Sequence, residues 1–322
     1  MLDKMFPEPP ASPFDPPSLL YVFFTSPLKF LLRYFYQSLT YPRSGPPTGR
    51  PAIRIVCISD THCNIKPIPD GDLLIHAGDF TNAGTPSEIQ AQVNWLESLP
   101  HAHKICISGN HDTYLDPRSR RTLPPSDRDG HIDWKGIHYL QHDSLTLTFP
   151  RHQNRRLRFF GAPQIPACGG PEFSFQYPRG QDAWTNTVPV DTDVLITHTP
   201  PKYHLDLPAA LGCEYLLRET WRVRPRLHVF GHVHAGRGQE VVYWDDAQRA
   251  YEAALQRPDG LIRSTLDMRL WIEAVRVVVY GVSGLLWNRV WGGREEPCRL
   301  VNASLMFNNT GRIENDAQIV EI

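Results

Sequence analysis

Short apolar runs alternate with polar segments through most of the chain. Each run is four to eight residues long and rich in Ile, Val, Leu or Phe. In chain order the runs are AIRIVCIS, DLLIHAG, KICISG, LRFFGA, DVLITH and LHVFGH. Continuous apolar runs of this length are typical of strands that are buried on both faces of a sheet.

One helix is predicted between the second and third runs, in TPSEIQAQVNWLESLP. Thr85 and Glu88 have the spacing of a capping box, and Pro86 suits the first turn. The apolar residues recur at helical spacing, and they are Ile89, Val93, Leu96 and Leu99. A strand, a helix and a second strand form a right-handed crossover, so the pattern predicts a layered α/β domain.

The N-terminal 51 residues have a different pattern, a proline-rich start followed by the apolar and aromatic stretch 18–40 and a linker at 41–51. Ser26-Pro27 is typical of a helix start. Lys29, Arg33 and Gln37 then recur every four residues, on one face of that helix. Two interpretations stay open, a helix lying on an anionic membrane surface and a helix packed on the catalytic domain.

Residues 246–297 have the pattern of a helical insertion. DDAQRAYEAALQ and MRLWIEAVRVVVYGVSGLLWNRVW both show helical spacing. A core helix is the default interpretation, and peripheral membrane contact through 268–291, together with 18–40, is the alternative. We expect neither stretch to span a bilayer, because their uncharged runs, 16–28 and 277–288, are too short.

Charge and cysteine content narrow the class of protein. The 33 basic and 34 acidic residues nearly cancel, which argues against a nucleic-acid partner. The six cysteines are scattered without a CxxC pair, which predicts reduced thiols and a cytoplasmic protein, either free or peripherally bound to a membrane. No secretory signal is evident at the N-terminus. No protein partner can be predicted.

Metal-binding side chains follow five of the apolar runs. They are Asp60 and His62, Asp79, Asn110 with His111 and Asp112, His198, and His232 with His234. Ligands of α/β proteins bind at the carboxyl ends of strands, and five such ends are hard to explain as turn caps. Imidazole with carboxylate suits Zn, Fe or Mn, and the number of candidate ligands is about right for two ions.

Two further histidines, His76 and His228, lie inside apolar runs rather than after them. We interpret both as buried, hydrogen-bonded residues behind the site and not as ligands. Arg179, in FQYPRGQDAW, is a weak candidate for binding a substrate phosphate, and a surface or structural role is the simpler reading.

The five motifs together resemble the calcineurin-like metallophosphoesterase signature, in order and unbroken. Five longer segments resemble those of one branch of this family, the metallophosphoesterase domain-containing proteins. These segments are ISDTH, HAGDFTNAG, PEFSF, LITHTPP and RPRLHVFGHVHAG. The resemblance covers about 53–244 and resumes near residue 298, and it does not extend to the N-terminal 50 residues or to 246–297.

The resemblance implies a role for each motif residue. Asp60, His62 and His234 would hold a first divalent ion, Asn110, His198 and His232 a second, and Asp79 would bridge both. Mn²⁺ is favoured for both ions, with Fe or Zn as alternatives. His111 would face the substrate and protonate or otherwise stabilise the leaving oxygen, and Asp112 would orient His111.

Gly231 would let the backbone turn tightly beside the metals. His232 and His234 would point the same way, as alternate residues of an extended segment do.

The resemblance implies two packed β-sheets flanked by helices, and the residue pattern outside it adds an N-terminal apolar extension and a helical insertion. The domains would be 1–51, 52–245 and 246–297, with 298–322 completing the core. The implied function is hydrolysis of a phosphodiester, including cyclic or other nucleotides, through attack of a hydroxide held by both metals. The alternative is a scaffold of the same fold with little activity, or a membrane-associated binding module.

Overall fold

The computed structural model describes residues 7–43, 51–293 and 296–322. The linker predicted at 41–51 falls mostly on residues that lie outside the described ones, as does the start of the proline-rich segment. The chain divides into two compact units. We call Met1–Thr48 with Val241–Arg299 the helical unit, and Gly49–Glu240 with Leu300–Ile322 the sheet unit. The division groups the N-terminal extension with the predicted insertion.

The helices of the described residues are distributed over both units. The α-helices are α1 (Leu19–Thr25), α2 (Pro27–Thr40), α3 (Pro86–Ser98), α4 (Glu214–Val223), α5 (Asp246–Leu255), α6 (Leu261–Leu266) and α7 (Met268–Arg289). Short 3-10 helices are found at Tyr41–Arg43, Thr113–Leu115, Ser119–Thr122, Pro125–Asp127, Pro150–His152 and His234–Gly236.

The strands of the described residues are short, as the apolar runs predict. They are β1 (Arg54–Ile58), β2 (Leu73–His76), β3 (His103–Cys106), β4 (His138–Tyr139), β5 (Asp143–Phe149), β6 (Arg155–Ala162), β7 (Ile165–Pro166), β8 (Gln176–Tyr177), β9 (Val194–Thr197), β10 (Leu227–Phe230), β11 (Gly238–Val242), β12 (Cys298–Asn302) and β13 (Gln318–Glu321).

Two main sheets organise these strands. The first has the order β13-β1-β2-β3-β4 and the second the order β11-β12-β10-β9-β6-β5, while β7 and β8 form a small pair. Strands β1 to β4 are parallel to one another, and so are β6, β9 and β10. Each parallel set therefore brings the carboxyl ends of its strands to one edge of its sheet.

The apolar core lies between the two sheets. One cluster of buried side chains joins Ile55 and Ile75 of the first sheet to Phe159, Ile196 and Val229 of the second. Helices cover the outer faces, with α3 against the first sheet and α4 against the second. The predicted fold, a mixed α/β architecture of two packed sheets flanked by helices, is confirmed.

Helix α3 begins as its sequence predicts. The Thr85 hydroxyl accepts a hydrogen bond from the Glu88 N–H, and Pro86 occupies the first turn. Ile89, Val93 and Leu96 are buried against the first sheet. The capping box is only half formed, because the Glu88 carboxylate accepts from the Ala83 and Gly84 N–H groups.

The helical unit has its own small core. Leu32 and Tyr36 of α2 pack with Tyr251 of α5 and with Leu270 and Val277 of α7. The Tyr36 and Tyr251 rings stack with their centroids 4.4 Å apart. Helix α2 therefore uses its apolar stripe to bind helices of its own unit.

Lys29 attaches α2 to the rest of the helical unit. Its ammonium group is buried and donates to the carbonyl oxygens of Leu255 and Arg257 and to the Asp259 carboxylate. A buried ammonium is tolerated when its three donors are satisfied in this way. Lys29 thus joins α2 to the end of α5, and its charge is not available to a membrane surface.

Candidate metal centre

The predicted metal-binding residues converge because they follow strands of the two parallel sets. Asp60 comes shortly after β1, Asp79 after β2 and Asn110 after β3, all in the first sheet. His198 directly follows β9, and His232 comes shortly after β10 of the second sheet. The site therefore lies where the strand ends of both sheets meet.

Four of these side chains form one compact group, Asp60, His62, Asp79 and His234, with ligand atoms that all lie within 4.8 Å of one another. His234 Nε2 is 3.5 Å from an Asp60 carboxylate oxygen, and His62 Nε2 is 3.7 Å from an Asp79 oxygen. Two carboxylates and two imidazoles at this spacing are a suitable donor set for a transition-metal ion.

A second group adjoins the first through Asp79. His198 Nε2 lies 3.3 Å from an Asp79 oxygen and 3.0 Å from Asn110 Oδ1. The His232 ring is 5.3 Å from the His198 ring, centroid to centroid. The structure thus brings all seven predicted ligands together, and Asp79 contacts members of both groups.

Backbone carbonyl oxygens fix the orientation of three imidazoles. His198 Nδ1 donates to the Ala77 oxygen at 2.8 Å, and His234 Nδ1 donates to the Asn308 oxygen at 2.8 Å. His111 Nδ1 donates to the Asn82 oxygen at 3.1 Å. A proton on Nδ1 leaves Nε2 as the nitrogen available to a metal or a substrate.

Burial and charge in the site fit divalent cations. His62 Nε2 is buried and has no hydrogen-bond partner, although it faces the carboxylate group. A buried imidazole nitrogen without a partner costs free energy unless something binds it. A metal ion would satisfy this nitrogen with the same ligand set.

The pKa shifts indicate that the cluster requires positive charge. Burial alone would raise the pKa of Asp79, but His198, His111 and His62 hold it well below its usual range. Burial would lower the pKa of His198, yet the attraction of Asp79 raises it to about 9. The buried carboxylates therefore favour positive charge next to them, and bound cations would supply it.

His232 already has the protonation state of a ligand. Burial lowers its pKa to about 3, which makes it neutral at physiological pH. The pKa of His62 is lowered as well, again because of burial. Neutral imidazoles offer a lone pair to a metal without first releasing a proton.

The backbone is left-handed at four of the ligand positions. Asp60, His62, Asp79 and His232 have φ values of 56°, 45°, 56° and 67°. Residues with a Cβ rarely adopt this conformation, and such residues cluster at functional sites because the surrounding structure compensates for the strain. The fold here holds ligands in place at a cost in local stability.

Two glycines allow the close approach of backbone to the ligands. A Cβ on Gly231 would overlap an Asp60 carboxylate oxygen, and one on Gly109 would overlap an Asp79 oxygen. Any side chain at either position would displace a ligand. Gly231, which is predicted to allow a tight turn at the metals, is required here because its backbone lies so close to Asp60.

The segment from His232 to His234 differs from its predicted extended form. Strand β10 ends at Phe230, His232 is left-handed, and His234 begins a 3-10 helix. The His232 ring contacts His198, while the His234 ring lies 5.4 Å from the His62 ring. The two imidazoles therefore reach different groups of the site through a tight turn.

His111 lies beside the ligand groups and is only partly buried. Its ring is 4.8 Å from the ring of His62 and 4.8 Å from that of Phe173. The backbone N–H of His111 donates to an Asp79 carboxylate oxygen at 2.7 Å, which fixes the position of His111 relative to that shared carboxylate.

Asp112 is predicted to orient the His111 ring, but the structure shows no hydrogen bond between the two side chains. Its carboxylate is fully buried and accepts from the Gly109 N–H at 2.8 Å and from the Thr81 N–H and hydroxyl. The ring is held instead by the Asn82 carbonyl oxygen. Asp112 therefore fixes the loop that carries Asn110 and His111.

His76 and His228 are buried behind the site, as predicted. His76 Nε2 contacts the Thr61 hydroxyl at 3.1 Å, and His228 Nε2 contacts the Thr197 hydroxyl at 2.8 Å. Burial lowers the pKa of each to about 3. Arg179 is exposed and donates to the Ala167 carbonyl oxygen, which is a structural contact.

Sequence reasoning missed Phe173 and the carbonyl groups that position the imidazoles. PEFSF contributes to the family resemblance, but nothing in its spacing places its first phenylalanine beside His111. Every residue carries a backbone carbonyl, so Asn82, Ala77 and Asn308 offer no residue-type signal. Only the fold identifies them.

Two packed sheets and two ligand groups that share Asp79 are the arrangement that the resemblance to calcineurin-like phosphoesterases predicts. The family model of calcineurin-like phosphoesterases matches residues 53–236, more than half of the chain. The chain belongs to this family, whose members use a dinuclear centre of divalent ions.

Relatives support the same assignment. The chain is 40% identical over 210 residues to human metallophosphoesterase domain-containing protein 1, covering 58% of this chain and 61% of that protein. It is 36% identical over 206 residues to UPF0046 protein K07C11.7 of Caenorhabditis elegans, covering 61% and 68%.

A third relative, from Emericella nidulans, is 46% identical over 237 residues and is named Probable rhamnogalacturonate lyase C. The match covers 72% of this chain but only 22% of that protein. The chain thus spans less than two thirds of both this relative and the human one, and the lyase name describes the Emericella protein alone.

Solved structures include TT1561 of Thermus thermophilus. It matches 60% of this chain and 85% of its own, with 17% identity and a TM-score of 0.38.

Proposed function

We propose that this protein hydrolyses a phosphodiester, with cyclic nucleotides among its candidate substrates. The observation that carries the proposal is the position of His111, an accessible imidazole beside two ligand groups that share Asp79. Two bound cations, for which we favour Mn²⁺ over Fe or Zn, would neutralise phosphoryl oxygens and acidify a water molecule. The remaining tasks belong to side chains of the chain itself.

His111 delivers a proton to the leaving oxygen. Its Nδ1–H is held by the Asn82 carbonyl, so Nε2 is the nitrogen that exchanges a proton with the substrate. Asp79 accepts from the His111 backbone N–H, so the position of His111 is fixed relative to the residues that would hold the cations.

Phe173 supplies an aromatic surface next to the proton donor. Its ring lies 4.8 Å from His111 and is partly exposed. A nucleobase or another flat leaving group can stack on such a ring. Stacking on Phe173 would favour an aromatic or nucleotide phosphodiester over a protein phosphate as substrate.

The near-neutral charge leads us to expect no binding to long nucleic acids. We place the enzyme in the cytoplasm, because its six cysteines lack the paired spacing of a disulfide framework.

The test is hydrolysis of bis-p-nitrophenyl phosphate and of a panel of cyclic nucleotides by the full chain with Mn²⁺. We expect a chelator to abolish turnover and Asp79→Asn to lower kcat/KM by about 10²- to 10³-fold, a loss typical when a group that stabilises the transition state is removed. Asp129→Asn, at an exposed carboxylate, is the matched control and should keep wild-type activity.

If folded, Mn²⁺-loaded wild type is as slow as Asp79→Asn on every substrate, the proposal is wrong. The low-activity scaffold then becomes the better account.

A further inference from the structure

The outer side of α7 exposes a continuous apolar stripe. Its inner side is buried at Leu270, Ala274, Val277 and Gly281. At about 100° per residue, most of the exposed apolar residues fall within an arc of about 120° on the side away from that buried stripe, and Tyr280 and Trp287 lie outside it. They include Trp271, Ile272, Val275, Val279, Val282 and Leu286.

Two neighbouring helices extend this apolar surface. Helix α1 is apolar and has no buried residue, and α6 exposes Ile262 and Leu266 to 72% and 73%. The Gly260 N–H donates to the Thr25 carbonyl oxygen, which joins the end of α1 to the start of α6. Trp271 Nε1 donates to the Thr265 carbonyl oxygen, which joins α6 to α7. Exposed apolar patches on this scale mark binding surfaces.

The charges beside the stripe are unequal. The four arginines of residues 261–290, Arg263, Arg269, Arg276 and Arg289, are all exposed. The two acidic residues of the same stretch, Asp267 and Glu273, are less exposed and pair with Arg257 and Arg276. An apolar stripe flanked by exposed arginines is complementary to anionic headgroups above acyl chains.

Helix α7 fits a position in the plane of a membrane. By length and composition it is the one helix of the described residues that could span a bilayer, which corrects the expectation from its short uncharged run, and 22% of its most apolar window is buried. Its inner stripe, however, packs along α5 and α2, whose polar groups would have to enter the bilayer with it. Trp271 lies within the outer stripe, and tryptophan favours the membrane–water interface.

We propose that the outer stripe of α7, with the exposed apolar residues of α1 and α6, binds the surface of an anionic phospholipid membrane. Apolar side chains enter the region between headgroups and acyl chains, and the flanking arginines contact lipid phosphates. The helical unit is then a membrane-binding element of the enzyme, independent of which phosphodiester the sheet unit hydrolyses.

The test is flotation of the full chain with vesicles of phosphatidylcholine alone and of phosphatidylcholine with phosphatidylserine. We expect the protein to float with the anionic vesicles, more weakly with neutral ones, and less as salt increases. The variant Ile272→Gln/Val275→Gln/Val279→Gln changes three exposed residues and should bind the anionic vesicles about ten-fold or more weakly.

The matched control is Ile65→Gln/Val190→Gln, at exposed apolar residues of the sheet unit, which should bind like wild type. Circular dichroism and thermal unfolding check that both variants fold.

Three results would overturn the proposal. The wild type could stay with the unbound fraction, or the control could lose binding as much as the stripe variant. The wild type could also self-associate without lipid while the stripe variant stays monomeric, in which case a second copy of the chain covers the stripe.

Discussion

The two units of the protein differ in which residues are buried and which are exposed. The sheet unit buries charged residues, whereas the helical unit exposes apolar ones. The sheet unit buries Asp60, Asp79 and His198 almost completely, although charged groups are rarely buried without a partner. The helical unit exposes Ile272 and Val279 to about half, although neighbouring positions of the same helix are buried. The buried charged residues of the sheet unit fit the binding of cations. By our proposal, the exposed apolar residues of the helical unit bind lipid.

The difference also concerns what holds each region in place. Ligands in the sheet unit are fixed by backbone carbonyls, left-handed residues and close glycine contacts, so their geometry is defined before any ion binds. The outer stripe of α7 instead presents exposed apolar area and the charges of the neighbouring arginines. A fluid bilayer needs no fixed geometry, whereas a metal does.

The largest effect we expect in the sheet unit is a loss of activity without a loss of stability. His111→Ala should lower kcat by about 10²- to 10⁴-fold, because a proton donor is lost. It should leave the free energy of unfolding nearly unchanged, since the ring is partly exposed. Steady-state kinetics and urea unfolding of the same preparation measure both quantities.

Asp112→Ala is the contrasting variant. It removes a buried carboxylate that accepts three hydrogen bonds, so it should cost about 2–4 kcal/mol of stability as well as activity. If Asp112→Ala unfolds like wild type and loses only activity, then Asp112 acts on the chemistry directly and our account of it is wrong.

A smaller effect should distinguish the two sides of α7. Val277 is fully buried and Val279 is 54% exposed, two residues further along the same helix. We expect Val277→Ala to cost about 1–3 kcal/mol because it leaves a cavity, and Val279→Ala to change stability by less than about 0.5 kcal/mol. Equal losses in urea unfolding would mean that the outer stripe is packed in solution, which contradicts its exposure.

The sequence predicts the parts of this molecule that depend on residue type and local spacing. Asp60, Asp79 and His198 are recognisable because metal-binding side chains follow apolar runs. The roles of the Asn82 and Asn308 carbonyls are not predictable, since a carbonyl acts through its place in the fold.

The predictions are wrong or incomplete where distant segments or the local backbone decide the outcome. Helical spacing places Lys29 on one face with Arg33 but does not reveal that carbonyls more than 220 residues away in sequence bind its ammonium group. The segment at His232 is predicted to be extended because alternation of residue types does not reveal a left-handed backbone.

The central claim is that the buried carboxylates and imidazoles of the sheet unit hold two divalent ions that share Asp79. Elemental analysis of the purified full chain, after equilibration with Mn²⁺ and removal of free metal, tests it most directly. We predict two ions per chain in the wild type and in Asp129→Asn, and fewer in Asp79→Asn. A wild type that retains no ion, or an Asp79→Asn variant that retains two, would contradict the account.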